Sequence, residues 1–102
     1  MKVIITAWAE ACLQEIYEYY SEKAGPEKAF EIVNKIIDKA ETLETYANRG
    51  QVDEDLKELD KGHRYLLEYH YKIVYRIEAD KVVITDIFSS WQDPGKKQER
   101  NK

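Results

Sequence analysis

The chain has 102 residues, 43% hydrophobic and 35% charged, which fits one folded domain and excludes a disordered one. No run approaches the roughly 18 apolar residues of a membrane helix, and a single cysteine, Cys12, excludes an internal disulfide. The formal net charge of −4 is uneven: residues 1–60 carry seven basic and fourteen acidic side chains (−7), and residues 61–102 carry nine and six (+3). An anionic partner would meet the C-terminal half, while the acidic total argues against direct nucleic-acid binding, which rests on neutralised phosphates. The apolar run after Met1 is too short for a signal peptide, so a cytoplasmic protein without membrane contact is expected.

Lys2 to Thr6 is a short β-rich run, and Thr6 is suited to cap a following helix. From Trp8 to about Glu22, Ala9, Leu13, Ile16, Tyr17 and Tyr20 recur as an apolar helical stripe, with Glu10, Gln14, Glu18 and Glu22 facing away. Cys12 falls inside this pattern as a small core residue. Ala24-Gly25-Pro26 breaks the helix, and Pro26 suits the first turn of a second one. There Ala29, Phe30, Val33, Ile36, Ile37, Ala40 and Leu43 keep helical spacing. Helices are predicted over about 7–22 and 26–47, stopped by Asn48-Arg49-Gly50. Gln51 to Gly62 is polar and acidic, a loop with room for one helical turn, anchored by Val52, Leu56 and Leu59.

After Gly62 the hydrophobic period changes from 3.6 to 2. Strands are predicted over 63–70, 71–78 and 81–89, besides 2–6, with Glu78-Ala79-Asp80-Lys81 fit for a tight turn. Past Pro94 no apolar residue remains, so a mobile polar tail, 96–102, is expected behind a single domain, 1–95. Each helix has one stripe to bury, and the sheet offers the large complementary surface. The expected fold is α+β: an antiparallel helical hairpin on one face of a small, mostly antiparallel sheet, in the order β-α-α-β-β-β. The other sheet face is expected to stay open and to carry function.

There is no Gly-rich phosphate loop, CxxC, HExxH or nucleophile elbow, and neither cofactor nor metal is expected. His63 and His70 lie seven residues apart with no cysteine nearby and read as structural or solvated. Period two puts Tyr71, Ile73, Tyr75 and Ile77 on one strand face and Lys72, Val74, Arg76 and Glu78 on the other. Lys72 and Arg76 then lie about 13 Å apart, at roughly 3.3 Å per residue. In the preceding run Arg64, Leu66 and Glu68 share a face. Arg64, Lys72 and Arg76 are the candidate cations for a carboxylate-rich peptide or a phosphate backbone. The alternative is solvated side chains paired with Glu68 and Glu78. Trp91, beside Asp93-Pro94, is either a lid on the core or an exposed partner anchor.

Tyr71-Lys-Ile-Val-Tyr-Arg76 and Phe88-Ser-Ser-Trp-Gln-Asp-Pro94 resemble the closing strands and tail of the RelE/ParE superfamily of small bacterial toxins. With Gly62-His-Arg64, and with Thr6, Ala9, Leu13, Ile16 and Tyr19, the resemblance covers residues 2 to 95. It implies the toxin of a type II toxin–antitoxin system, neutralised by a cognate antitoxin whose flexible segment wraps it. RelE-like members cleave mRNA in the ribosome, with a basic residue where Lys72 stands and a Tyr or His-Tyr pair near the C-terminus. Here no Tyr or His follows Tyr75, which leaves His63, His70 and Lys72 as the candidates should the chain be an endoribonuclease. The Gln92-Asp93-Pro94 ending is similar to ParE-like tails. The resemblance therefore implies the ParE-like branch, linked to plasmid stabilisation, which inhibits DNA gyrase without cutting nucleic acid and is not an enzyme. A degenerate, non-toxic member is the third reading.

Overall fold

The computed structural model describes residues 1–90 and 101. The Thr6 hydroxyl accepts the Ala9 amide at 3.2 Å and starts α1 (Ala7–Ala24). Gly25, at φ 92°, ends it with its amide donating to the Ser21 carbonyl, and Pro26 opens α2 (Pro26–Glu41). Ala9, Leu13 and Ile16 of α1 and Ala29, Ile36 and Ala40 of α2 are buried, as their spacing predicts. Phe30 departs from that pattern: it is 62% exposed, and Ala29 takes the inward position beside it. Helix α2 also stops earlier than the predicted 47. The Thr42 hydroxyl donates to the Lys39 carbonyl at 2.6 Å, and the chain tightens into a 3₁₀ turn, Thr42–Glu44.

Five strands form one sheet: β1 (Lys2–Ile5), β2 (Gln51–Val52), β3 (Arg64–Glu68), β4 (Tyr71–Glu78) and β5 (Lys81–Ser89), in the order β1-β5-β4-β3-β2. β1 runs parallel to β5 and the other neighbours are antiparallel. The registers Glu68↔Tyr71 and Glu78↔Lys81 leave two-residue turns, Tyr69-His70 and Ala79-Asp80. β2 was not foreseen; its two residues pair with Tyr65 and Arg64 inside the segment read as a loop. The helices pack on the face carrying Leu66, Tyr71, Ile73, Tyr75, Val82, Ile84 and Ile87.

The second sheet face is not open throughout, contrary to the sequence expectation. A 3₁₀ segment, Glu54–Leu59, lays Leu56 and Leu59 against Val74, Phe88 and Tyr65. The cause is legible in β5, where apolar residues fill positions of both parities, so both faces need cover. Of the expected tail, 96–102, only Asn101 falls among the described residues. It is 1% exposed, its amide donating to the Asp86 carboxylate at 3.1 Å and its carbonyl accepting from the Thr85 hydroxyl.

Tyr75 joins the layers. Fully buried, it donates its hydroxyl to the Ala47 carbonyl at 2.7 Å and accepts the Gly50 amide at 2.9 Å. Tyr75→Phe strands both buried backbone groups, so it should lower unfolding stability by about 1–3 kcal/mol. Urea denaturation measures this, and a loss under about 0.5 kcal/mol would contradict the role given to the hydroxyl.

Candidate functional site

The alternation of β4 sends Lys72 and Arg76 to the face away from the helices, as read from sequence. Arg64 does not join them. It lies opposite Tyr75 in the register, on the helix side, and donates to the Gly50 carbonyl at 2.8 Å and the Asn48 carbonyl at 3.4 Å. Its guanidinium thereby fastens the turn after α2. Arg76 is drawn along β4 into an ion pair with Glu78, whose carboxyl it holds below the usual carboxylate range. Lys72, the third candidate cation, has its ammonium 4.5 Å from the centre of the Tyr65 ring.

Tyr65 in turn donates to the Gln51 side-chain oxygen Oε1 at 2.8 Å, and Leu67, opposite Lys72, is 46% exposed. Beside them a cavity of about 150 Å³ is lined by Lys39, Arg49, Gln51, Tyr65, Leu66 and Leu67. Because β2 pairs only with Arg64 and Tyr65, the outer edge of β3 from Leu66 to Glu68 has no neighbouring strand among the described residues. Two cations (Lys39, Arg49), an exposed leucine and a strand edge thus come together, and Lys72 stands over Tyr65 on the outer sheet face. That set can pair with the main chain of an extended peptide and with its carboxylates. Lys39 and Arg49 were missed from sequence, since only the fold brings α2 and the following turn to this edge. Tyr65 and Leu67 carried a signal: with Leu66 inward, period two turns both outward, an apolar pair on the solvent side.

The groups that could serve a nuclease occupy separate environments. His70, in the β3–β4 turn, meets the Tyr20 hydroxyl at 3.1 Å through Nε2 and the Ser89 hydroxyl at 3.0 Å through Nδ1, which ties α1 to β5. His63 is 2% exposed, its ring meets the Asn101 backbone, and its own backbone carbonyl accepts from the Asp53 amide. Lys72 rests on Tyr65. Trp91, the candidate anchor, lies outside the described residues. Those residues contain no group of His, Cys, Asp or Glu suited to a metal ion, and no helix long and apolar enough to cross a membrane.

Residues 3–94 match the family model described as "ParE toxin of type II toxin-antitoxin system, parDE". Among solved structures the chain is similar to one titled "Chromosomal ParDE TA system from P. aeruginosa". The two are 30% identical with a TM-score of 0.75, over 87% of this chain and 95% of that one. No curated protein sequence matches.

Burial above all, with the charge of Arg76 adding to it, holds the His63 ring below its ordinary pKa of 6.5. The unfolded chain binds that proton as pH falls below about 6.5 and the folded chain does not. The contribution is therefore complete above that pH and is lost as pH falls toward the depressed folded value. His63→Leu should lose less stability than the wild type between about pH 7.5 and 5.5, read from urea midpoints. Equal losses would contradict a neutral, buried His63.

Proposed function

The chain belongs to the family of ParE toxins of type II toxin–antitoxin systems, and on that premise we propose that it acts by binding a protein target, DNA gyrase, and is neutralised by an acidic antitoxin segment at the outer edge of β3. The observation that carries the antitoxin half is a strand edge, without a neighbouring strand among the described residues, that has Lys39 and Arg49 at the cavity beside it and Lys72 over Tyr65 on the outer sheet face. A cationic rim suits carboxylates, and an edge strand supplies main-chain donors and acceptors. Support for the gyrase half comes from the ParE-like ending and from the dispersal of His63, His70 and Lys72. RNA cleavage requires an acid and a base converging on one phosphate, and here His70 is engaged by Tyr20 and Ser89 while Lys72 faces away from the helices. In this reading no side chain does chemistry, and activity is a property of contact surface.

Purified toxin should inhibit DNA supercoiling by gyrase and leave mRNA intact on ribosomes. Cleaved mRNA with unimpaired supercoiling would overturn the reading in favour of the nuclease branch.

For the antitoxin, Lys39→Glu with Lys72→Glu should weaken the complex at least about tenfold, or 1.4 kcal/mol. Lys28→Glu with Lys35→Glu, on the exposed face of α2 where both pair with Glu31, should change it less than about twofold. Calorimetric titration with the product of the neighbouring reading frame measures both. Equal effects would remove the β3 edge as the docking site.

A further inference from the structure

The C-terminal half of α1 and the β3–β4 turn hold a second surface that the cationic edge does not use. Tyr19 and Tyr20 meet edge to face with ring centres 5.0 Å apart, Tyr69 and His70 lie 4.7 Å apart, and His70 and Tyr71 lie 4.2 Å apart. The Tyr20–His70 hydrogen bond joins the two groups into one cluster, and the Ser89 contact fixes the imidazole from its other side. The His70 carbonyl also accepts the Ser90 amide at 2.7 Å. Burial, then the Tyr20 hydroxyl, pushes the Tyr71 hydroxyl up, so Tyr71 forms the neutral floor of the cluster. Tyr19 and Tyr69 stand at its surface, 55% and 75% exposed.

Tyr69 is the informative member. It occupies φ 57°, the left-handed region in which glycine is favoured, in a two-residue turn. A bulky ring there costs backbone energy and stays 75% exposed, so beyond its contact with His70 it returns little burial to the fold. The surroundings indicate what it meets. Glu15 and Glu22 flank Tyr19 on the exposed side of α1 at helical spacings of four and three, and Glu68 precedes Tyr69. One cation already rests here: the Lys23 ammonium is 5.7 Å from the centre of the Tyr19 ring.

We propose that the cluster of Tyr19, Tyr20, Tyr69, His70 and Tyr71 is a docking surface for an arginine-bearing segment of a partner protein. A planar guanidinium stacks on a tyrosine face while its edge donates to a carboxylate, and this surface sets exposed tyrosines with Glu15 and Glu22 one helical turn to either side of Tyr19. The same acidic rim repels phosphate, and also the carboxylates that the β3 edge would take. The two surfaces therefore select partners of opposite charge. The cluster is defined without reference to the toxin's target, so its failure would leave the proposed function standing.

The test is a two-dimensional NMR titration of the full chain with a capped pentapeptide carrying two arginines between glycines. Lysine and citrulline versions serve as the comparison. The largest shifts should fall at Tyr19, Tyr69 and His70. The arginine peptide should bind about fivefold tighter than the lysine one, and the citrulline peptide should not bind. Tyr19→Ala with Tyr69→Gly should weaken binding about tenfold. Tyr69→Gly alone should unfold at a temperature no lower than the wild type, because it relieves the positive φ, which separates lost binding from lost folding. Shifts spread along the acidic helix faces, lysine binding equal to arginine, or binding unchanged in the double variant would each overturn the proposal.

Discussion

The buried hydroxyl of Tyr75 is the contact on which the arrangement of this molecule depends. It stands in the middle of the sheet's helix face and ties down the turn that leaves α2, through Ala47 on one side and Gly50 on the other. The approach is so close that a Cβ on Gly50 would come within 2.5 Å of the Tyr75 oxygen and 2.8 Å of the Tyr65 carbonyl. Glycine is needed there for space, and its φ is ordinary. With the turn pinned, Gln51 and Val52 reach Tyr65 and Arg64 as β2, and Arg64 is spent on the Gly50 and Asn48 carbonyls. The chain then crosses to the second face, where Leu56 closes over Val74 and Phe88. One phenol thus fixes what covers the second face and where that cover ends, at Lys72, Tyr65 and Leu67.

A second constraint sits in β5. The register slips between Val74↔Asp86 and Tyr75↔Ile84, leaving Thr85 as the extra residue of a bulge. The slip changes parity, so Ile84 and Ile87 both face the helices although they are three apart. It also carries the Asp86 carboxylate into a site with no exposure. There one oxygen accepts the Trp8 indole N–H at 3.0 Å and the Cys12 thiol at 3.7 Å, and the other accepts the Asn101 amide. Three donors satisfy a carboxylate that would otherwise be costly to bury. Burial pushes the Cys12 thiol up to about 11, so it serves as a donor and stays un-ionised at neutral pH.

Much of this was legible in the sequence. The switch of period after Gly62 placed β3, β4 and β5; Thr6 and Pro26 marked both helix starts; and Ala79-Asp80 announced a turn. What escaped has physical causes. Phe30 kept helical spacing yet points to water, because periodicity sees a stripe and not where the neighbouring element ends. The parity that grouped Arg64 with Leu66 already placed it on the core side, where a guanidinium must find carbonyls, so its structural use was readable. Lys39 and Arg49 were not readable as site residues. They are ordinary surface cations in α2 and the turn beyond it, and only the pinned turn brings them beside Leu67. The family resemblance rested on short motifs in α1, at Gly62-His-Arg64, in β4 and from the end of β5 onward, and it holds over residues 3–94.

The edge proposed for the antitoxin therefore depends on the pinned turn. Hydrogen exchange at the Gly50 amide measures the pinning directly. If Tyr75 holds the turn, this amide opens only with the whole molecule, and its protection in the native state equals that of the β4 amides at Ile73 and Tyr75. An amide at Gly50 that exchanges as fast as the exposed turn at Ala79-Asp80 would contradict the account.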